Sequence, residues 1–206
     1  MIAVVQEKLF EVDEYNVVPD DWRSDDWETP VQIARFMGGL VKPDEKIIVE
    51  PSAGRGNIAR FLPNGTTCVE LNPIRHLAGA VPHQNWLCGD FLAMCDRGEF
   101  DCNVDLVIGN PPFSLINEFI SAAAKAIHPA GRILLLLPTE CFQAQSRAKG
   151  LIKSGLHISR KLEIVDRVGY EQEGIVRNER QCYDSIFELR LSGKPAVEIV
   201  DPYGKL

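Results

Sequence analysis

The tetrapeptide Asn110-Pro111-Pro112-Phe113 holds the residues of this chain whose types most clearly suggest chemistry. It follows an apolar run, Asp105 to Gly109, which predicts a buried strand ending at the carboxyl edge of a sheet, where open α/β sheets bind ligands. The Asn side-chain oxygen and the Pro111 carbonyl can accept hydrogen bonds from an amino group. Proline fixes the backbone, and Phe offers a flat face to a planar substrate. The four residues are therefore candidate catalytic residues.

A second motif, Glu50-Pro51-Ser52-Ala53-Gly54-Arg55-Gly56-Asn57, lies where a predicted strand turns towards a helix. Its small residues allow the backbone to approach a ligand closely, and a helix N-terminus follows. The motif is neither the Gly-x-Gly-x-x-Gly dinucleotide pattern nor a phosphate loop ending in Gly-Lys-Ser/Thr. By itself it is weak evidence for a ligand site.

Carboxylates stand at the ends of the next two predicted strands. Glu70 follows Glu50 by twenty residues, in a position from which a carboxylate can accept hydrogen bonds from both hydroxyls of a ribose. Asp90 ends the third strand and can accept from an adenine amino group, with the Phe91 ring beside it for stacking. Each carboxylate alone could be a helix cap, but their placement at successive strand ends predicts a nucleoside site.

Over about residues 27–140 the chain resembles S-adenosylmethionine-dependent amino-methyltransferases. The resemblance rests on Thr29-Pro30, the loop from Glu50 to Gly56, Glu70, Gly89-Asp90-Phe91 and Asn110-Pro111-Pro112-Phe113, which fall in the order and spacing of that family. They look most like adenine-N6 DNA methyltransferases whose cofactor motifs precede the catalytic motif. The resemblance implies S-adenosyl-L-methionine as cofactor and methyl transfer to an exocyclic amino nitrogen, with adenine N6 in DNA as the first choice.

Three alternatives to that substrate assignment stay open. Similar Asn-Pro-Pro-aromatic motifs occur in RNA base methyltransferases and in enzymes that methylate protein glutamine side chains. A non-catalytic protein that keeps the fold and binds cofactor or partners is the third.

The resemblance also implies residue roles. The cofactor site would comprise Trp27, Thr29, Glu50, Pro51, Ser52, Ala53, Gly54, Gly56, Asn57, Glu70, Leu71, Asp90, Phe91 and Asn110. Catalysis would fall to Asn110, Pro111, Pro112 and Phe113, with no metal. The Asn110 side-chain oxygen and the Pro111 carbonyl would bind the amino hydrogens and turn the nitrogen lone pair towards the methyl group, while Phe113 stacks on the target ring. Such direct displacement needs no covalent intermediate on a cysteine.

The elements that must position these residues alternate between helix and strand from residue 29, which is typical of a parallel α/β sheet. Thr29 is expected to cap a first helix that has Pro30 at its first position. Strands are expected at 46–50, 66–70, 85–88, 105–108 and 132–137, and helices from about residue 57, after residue 73, at 115–127 and at 145–154. Two longer strands, at 159–168 and 183–191, are expected to pair antiparallel.

These elements, together with the resemblance, predict a three-layer α/β/α, Rossmann-like methyltransferase fold. Its sheet is expected to have seven strands, mostly parallel, with one antiparallel strand near the C-terminus.

Charge sets apart an acidic N-terminal arm, residues 1–28. The resemblance implies that residues 29–206 form a single catalytic domain, which we expect to lack a separate target-recognition domain. The formal net charge is −7, and the arm alone contains nine acidic against two basic residues, so the rest is neutral. Nucleic acid, first of all DNA, is the expected partner. Loops 141–158 and 169–182, or a partner protein, would then recognise the target. Tyr183, Arg177 and Arg180 are candidate substrate contacts.

Cysteine usage and hydropathy bear on location. The six cysteines include no Cys-x-x-Cys pair and are expected to be reduced thiols. No uncharged apolar run of about 18 residues predicts a membrane span, and the first ten residues lack the layout of a signal peptide. The expected location is the cytoplasm.

Overall fold

The computed structural model of the chain describes residues 27–73, 75–76, 81–172, 175–177 and 182–200. The acidic arm up to residue 26 and most of the helix expected after residue 73 lie outside these described residues. Within them, no helix is long and apolar enough to cross a membrane.

The main sheet of the described chain has seven strands: β1 Ile48–Glu50, β2 Thr67–Glu70, β3 Asn85–Cys88, β4 Val104–Gly109, β5 Ile127–Pro138, β6 His157–Glu163 and β9 Asp184–Arg190. Their order across the sheet is β3-β2-β1-β4-β5-β9-β6. Strands β1 to β5 pair in parallel, and β9 runs antiparallel to its neighbours β5 and β6. The predicted sheet, with a single reversed strand near the C-terminus, is therefore confirmed.

Helices cover both faces of the sheet. They are α1 Val31–Gly38, α2 Phe91–Asp96, α3 Ile116–Ala126 and α4 Gln145–Lys153. Alternate residues of β5 belong to two different core clusters, because successive side chains of a strand point to opposite faces. Side chains from α2, α3 and α4 cover one face, and α1 covers the other. This gives the three layers that the sequence predicts.

The first and second predicted helices differ from the structure. Pro30, not Thr29, occupies the cap position of α1, and no side chain caps the helix there. Thr29 is 5 % exposed, and its carbonyl accepts a hydrogen bond from Asn57, so it belongs to the segment before the helix. The helix expected from residue 57 is reduced to a 3-10 turn at Ala59–Phe61.

The strand β5 begins five residues earlier than predicted. The helix α3 ends at Ala126, one residue before its predicted end, and the chain enters the strand without an intervening loop. A Cβ atom on Gly131 would lie only 2.8 Å from the carbonyl oxygen of Val104, so glycine allows the backbone to approach β4 there. A short hairpin, β7 Tyr170–Gln172 with β8 Ile175–Arg177, was not predicted.

Candidate active site at the carboxyl edge of the sheet

Asn110 lies directly after β4, at the point where the strand order reverses. The chain builds β1, β2 and β3 towards one side of the sheet and β4 and β5 towards the other. Ligands of open α/β sheets bind in the crevice at such a switch point, outside the carboxyl ends of the strands. The side-chain oxygen of Asn110 is buried there and has no hydrogen-bond partner among the described residues. A buried polar atom without a hydrogen bond costs about 1–3 kcal/mol of folding stability. A ligand that donates a hydrogen bond to this oxygen would recover that cost.

The glycine loop that follows β1 takes a conformation that favours glycine. Gly54 and Gly56 have φ angles of 56° and 77°, in the left-handed region. The loop is fixed at Ala53, whose N–H donates to the Val69 carbonyl at 2.9 Å and whose carbonyl accepts from the Gly56 N–H at 2.8 Å. A Cβ atom on Gly54 would meet nothing within 4 Å, so the backbone there borders open space. The loop can therefore lie directly against a ligand.

The glycine loop and the Asn110 motif touch each other. A Cβ atom on Gly109 would lie 3.2 Å from Cδ of Pro51, so the last residue of β4 has room for little more than glycine. The Ser52 hydroxyl donates a hydrogen bond to the Asn110 carbonyl at 3.2 Å. The two motifs thus form one site rather than two.

Two buried carboxyl groups line the loop. Glu50 is 1 % exposed and Glu70 is 8 % exposed. Glu70 accepts from the Gly54 N–H at 2.6 Å with one oxygen and from the Asn72 N–H at 2.8 Å with the other. Leu71 lies between Glu70 and Asn72 in the chain. Burial, with the charge of Glu70, raises the pKa of Glu50 well above 4.5, and burial raises the pKa of Glu70. A cationic ligand would relieve both shifts, because it favours the charged carboxylates.

Asp90 and Phe91 follow β3 and have different roles in the structure. Asp90 is exposed, and one of its carboxylate oxygens accepts from the Leu92 N–H at 2.8 Å, which caps α2. Phe91 is 2 % exposed, and its ring stacks on Phe119 with centroids 5.8 Å apart. This placement differs from the expectation of a ring open to an adenine, because α3 covers the ring.

The segment before α1 reaches the glycine loop. The Asn57 side-chain amide donates to the Thr29 carbonyl at 3.0 Å. Trp27 packs against the core cluster on the α1 side of the sheet. Both residues expected from this segment are therefore close to the elements that carry the loop.

Phe113 is held from two sides. Its ring is half-buried and meets the edge of the Tyr170 ring, with centroids 6.3 Å apart and planes at 82°. Its carbonyl accepts from a guanidinium nitrogen of Arg147 at 3.1 Å. No local pattern in the sequence links Tyr170 or Arg147 to the tetrapeptide, so neither position was predicted. Nor was that of Cys68, whose thiol lies 3.9 Å from a carboxylate oxygen of Glu50.

Of the residues expected to meet substrate beyond the core strands, Tyr183 is 52 % exposed just before β9. The Arg167 guanidinium carbon lies 5.9 Å from the centre of its ring. Arg180 falls outside the described residues, and only the backbone of Arg177 is described. No group of three or more His, Cys, Asp or Glu side chains in the described ranges is arranged to hold a metal ion.

Comparison with known proteins gives matches in structure but not in sequence. No family model and no curated protein matches the chain. One similar structure is a proposed RNA methyltransferase from Pyrococcus horikoshii, with a TM-score of 0.62 at 16 % identity. The alignment covers 84 % of this chain and 89 % of that protein. A proposed class I S-adenosylmethionine-dependent methyltransferase from Listeria monocytogenes has a TM-score of 0.61 at 18 % identity, covering 84 % and 64 %.

A third similar structure is the M protein of the type I restriction enzyme EcoKI. Its TM-score is 0.61 at 14 % identity, over 82 % of this chain and 44 % of that protein. At these identities the likeness establishes the fold. The chain therefore has the Rossmann-like fold of these methyltransferases.

Proposed function

We propose that this protein is an S-adenosylmethionine-dependent methyltransferase that transfers a methyl group to an exocyclic amino nitrogen, adenine N6 in DNA. The observation that carries the proposal is the buried side-chain oxygen of Asn110, which lacks a hydrogen-bond partner among the described residues and lies beside the glycine loop. An amino group is the kind of donor that this oxygen needs.

The residues around the loop fit the cofactor. S-Adenosylmethionine carries a sulfonium and an ammonium group, which suit the buried carboxyl groups of Glu50 and Glu70. Pro51, Ser52, Ala53, Gly54 and Gly56 would lie along its methionine part, and Glu70 with Leu71 would hold the ribose. Asp90 would accept from the adenine amino group, and Trp27, Thr29 and Asn57 would close the site. Phe91 would support this wall from behind rather than stack on the adenine.

When bound, the cofactor supplies an electrophilic methyl group. The Asn110 side-chain oxygen and the Pro111 carbonyl would accept hydrogen bonds from the target amino group and draw its nitrogen lone pair out of conjugation with the ring. Ser52 would hold the Asn110 backbone in place through its 3.2 Å hydrogen bond. In favourable systems, holding two reactants in line contributes roughly 7–11 kcal/mol to lowering the barrier.

The remaining residues of the tetrapeptide would shape the acceptor side. Pro112, with φ of −54°, fixes the turn, and Phe113 would stack on the target ring. No thiol nucleophile is required. Burial raises the pKa of Cys141 to about 11 and that of Cys95 to about 12, so both thiols are protonated near neutral pH.

DNA is the preferred substrate because the motifs resemble adenine-N6 DNA enzymes, and because one structural neighbour belongs to a type I restriction enzyme. RNA is the second candidate, favoured by the neighbour described as a proposed RNA methyltransferase. Protein glutamine is a further alternative. Target recognition would come from loops at the carboxyl edge or from a partner protein, with residues 29–206 acting as one catalytic domain.

A substrate panel tests the proposal. The protein is incubated with methyl-labelled S-adenosylmethionine and, separately, duplex DNA, single-stranded DNA, RNA and glutamine-containing protein, and calorimetry measures cofactor binding. Label in DNA as N6-methyladenine is expected. Label only in RNA or protein would replace the substrate assignment. Cofactor binding without transfer to any acceptor would favour a non-catalytic role.

A further inference from the structure

Glu28 contacts the cofactor side and the acceptor side of the proposed active site at once. Its backbone pairs with that of Glu171 in an antiparallel bridge: the Glu28 N–H donates to the Glu171 carbonyl at 2.8 Å, and the Glu171 N–H donates to the Glu28 carbonyl at 3.2 Å. Its side chain lies 3.3 Å from Nε of Arg55. These contacts join three segments that are distant in sequence.

The contact with Arg55 leads into the glycine loop. Arg55 stands between Gly54 and Gly56, the two residues in the left-handed conformation. The Glu28 side chain is 13 % exposed, whereas that of Arg55 is 46 % exposed. A nearly buried carboxylate therefore holds the one charged side chain of the Gly54–Gly56 turn.

The contact with Glu171 leads to the tetrapeptide. Glu171 follows Tyr170 in β7, and Tyr170 is 0 % exposed. The Tyr170 ring meets the Phe113 ring edge-on, with centroids 6.3 Å apart. Because buried aromatic contacts are close-packed, a shift of the β7–β8 hairpin would move the packing surface behind Phe113.

We propose that Glu28 is a positioning residue that couples occupancy of the glycine loop to the β7–β8 hairpin behind Phe113. The inference rests on the proposed function, since it takes S-adenosylmethionine as the ligand of the loop. A cofactor that orders the loop fixes Arg55, Arg55 fixes Glu28, and the backbone bridge passes the restraint to the hairpin. The β7–β8 hairpin, which packs against Phe113 on the acceptor side, is then most rigid when S-adenosylmethionine is bound.

The size of the coupling follows from the ion pair. Pairs with one exposed partner contribute little, so breaking this one should change hairpin protection by about two- to five-fold rather than abolish folding. Glu28→Ala removes only the ion pair with Arg55, because the bridge to Glu171 is formed by backbone atoms.

Hydrogen exchange with and without S-adenosylmethionine tests the inference. The readouts are the exchange rate of amides 168–172 and, in the same samples, the cofactor Kd by calorimetry. The proteins are the wild type, Glu28→Ala, Arg55→Ala and Arg55→Lys. Arg97→Ala serves as a matched control, because it breaks a surface ion pair with Glu99 elsewhere. Cofactor should slow the exchange of amides 168–172 in the wild type, in Arg55→Lys and in the control. In Glu28→Ala and Arg55→Ala this slowing should be two- to five-fold smaller.

Each contrary outcome has its own meaning. Equal slowing in Glu28→Ala, Arg55→Ala and the wild type would overturn the role of Glu28. Cofactor binding without any slowing in the wild type would overturn the coupling and leave the proposed function intact. No heat of cofactor binding in the wild type would overturn the proposed function, and this inference with it.

Discussion

The Ser52 hydroxyl donates a hydrogen bond to the backbone carbonyl of Asn110 at 3.2 Å. Through this bond the loop proposed to hold the methyl donor directly restrains the residue proposed to hold the acceptor. The contact of Pro51 with Gly109 adds a second restraint one residue earlier on each segment. The relative position of the proposed donor and acceptor sites is thus restrained by two short contacts from consecutive residues of the glycine loop to consecutive residues at the end of β4.

Asn110→Ala should separate activity from stability. Methyl transfer should fall at least about 100-fold, the scale seen when one stabilising group at a reacting atom is removed. The free energy of unfolding should rise by about 1 kcal/mol, because a buried oxygen without a partner among the described residues is removed. Activity assays and thermal unfolding measure the two effects.

Asn117→Ala is the matched control for that variant. Asn117 also has a buried side-chain oxygen without a hydrogen-bond partner in the described part of the chain, but it lies in α3. It should gain stability and keep its activity. Equal activity losses in both variants would contradict the catalytic assignment of Asn110.

Glu50→Gln should change how stability depends on pH. Burial raises the pKa of Glu50 above 4.5 in the folded protein, so the folded state binds a proton that the unfolded state has released. Its contribution to stability is therefore complete below pH 4.5 and is lost as the pH rises through the raised pKa. Without cofactor, Glu50→Gln should lose less stability than the wild type over this rise, as measured by unfolding at a series of pH values.

The same variant should bind S-adenosylmethionine more weakly. A neutral amide cannot pair with the cationic groups of the ligand, and wild-type affinity should increase with pH as Glu50 becomes charged. Calorimetry at several pH values measures both effects. A pH-independent Kd that is equal in the two proteins would remove Glu50 from the cofactor site.

Asp90→Asn should keep the helix cap and lose the ligand contact. An Asn oxygen can accept from the Leu92 N–H as the Asp oxygen does, so unfolding should change little. Its other atom becomes a donor and cannot accept from an adenine amino group, so cofactor affinity should fall by about ten-fold. Asp90→Ala should lose both the cap of α2 and the contact with the cofactor. Unchanged cofactor affinity in the two variants would exclude Asp90 from the site.

Arg147→Ala should slow turnover without weakening cofactor binding. The variant removes the hydrogen bond to the Phe113 carbonyl, and bonds from charged donors contribute about 1.5–3 kcal/mol. We expect kcat to fall by about ten-fold with an unchanged cofactor Kd. Arg147→Lys should recover part of the loss, and the exposed Lys149→Ala on the same helix should behave as the wild type.

The parallel strands could be predicted because each contains a short apolar run with turn residues after it. Glu50, Glu70 and Asn110 could be placed together on the same reasoning, since parallel strands end at one edge. Their roles towards ligands stay predictions. The polar hairpin at 170–177 could not be predicted, because its pairing with Glu28 and its packing behind Phe113 depend on tertiary contacts.

Two local features differ from what the sequence pattern suggests, and the physical reason is the same. The stretch from His128 to Gly131 contains a proline and a glycine and was expected to precede the strand, yet it belongs to β5, where Gly131 allows the backbone to approach β4. Phe91 was expected to face an adenine, yet its ring is covered by α3. In both cases a neighbour distant in sequence outweighs the local pattern.

The pairing of β1 with β4 also has a kinetic consequence. Ser52 and Asn110 are 58 residues apart, and the intervening chain contains β2 and β3, which lie on the other side of β1 from β4. Closing such a long loop is an entropically costly event in folding. During synthesis the glycine loop emerges before Asn110, so the proposed active site can assemble only after that long-range pairing has formed.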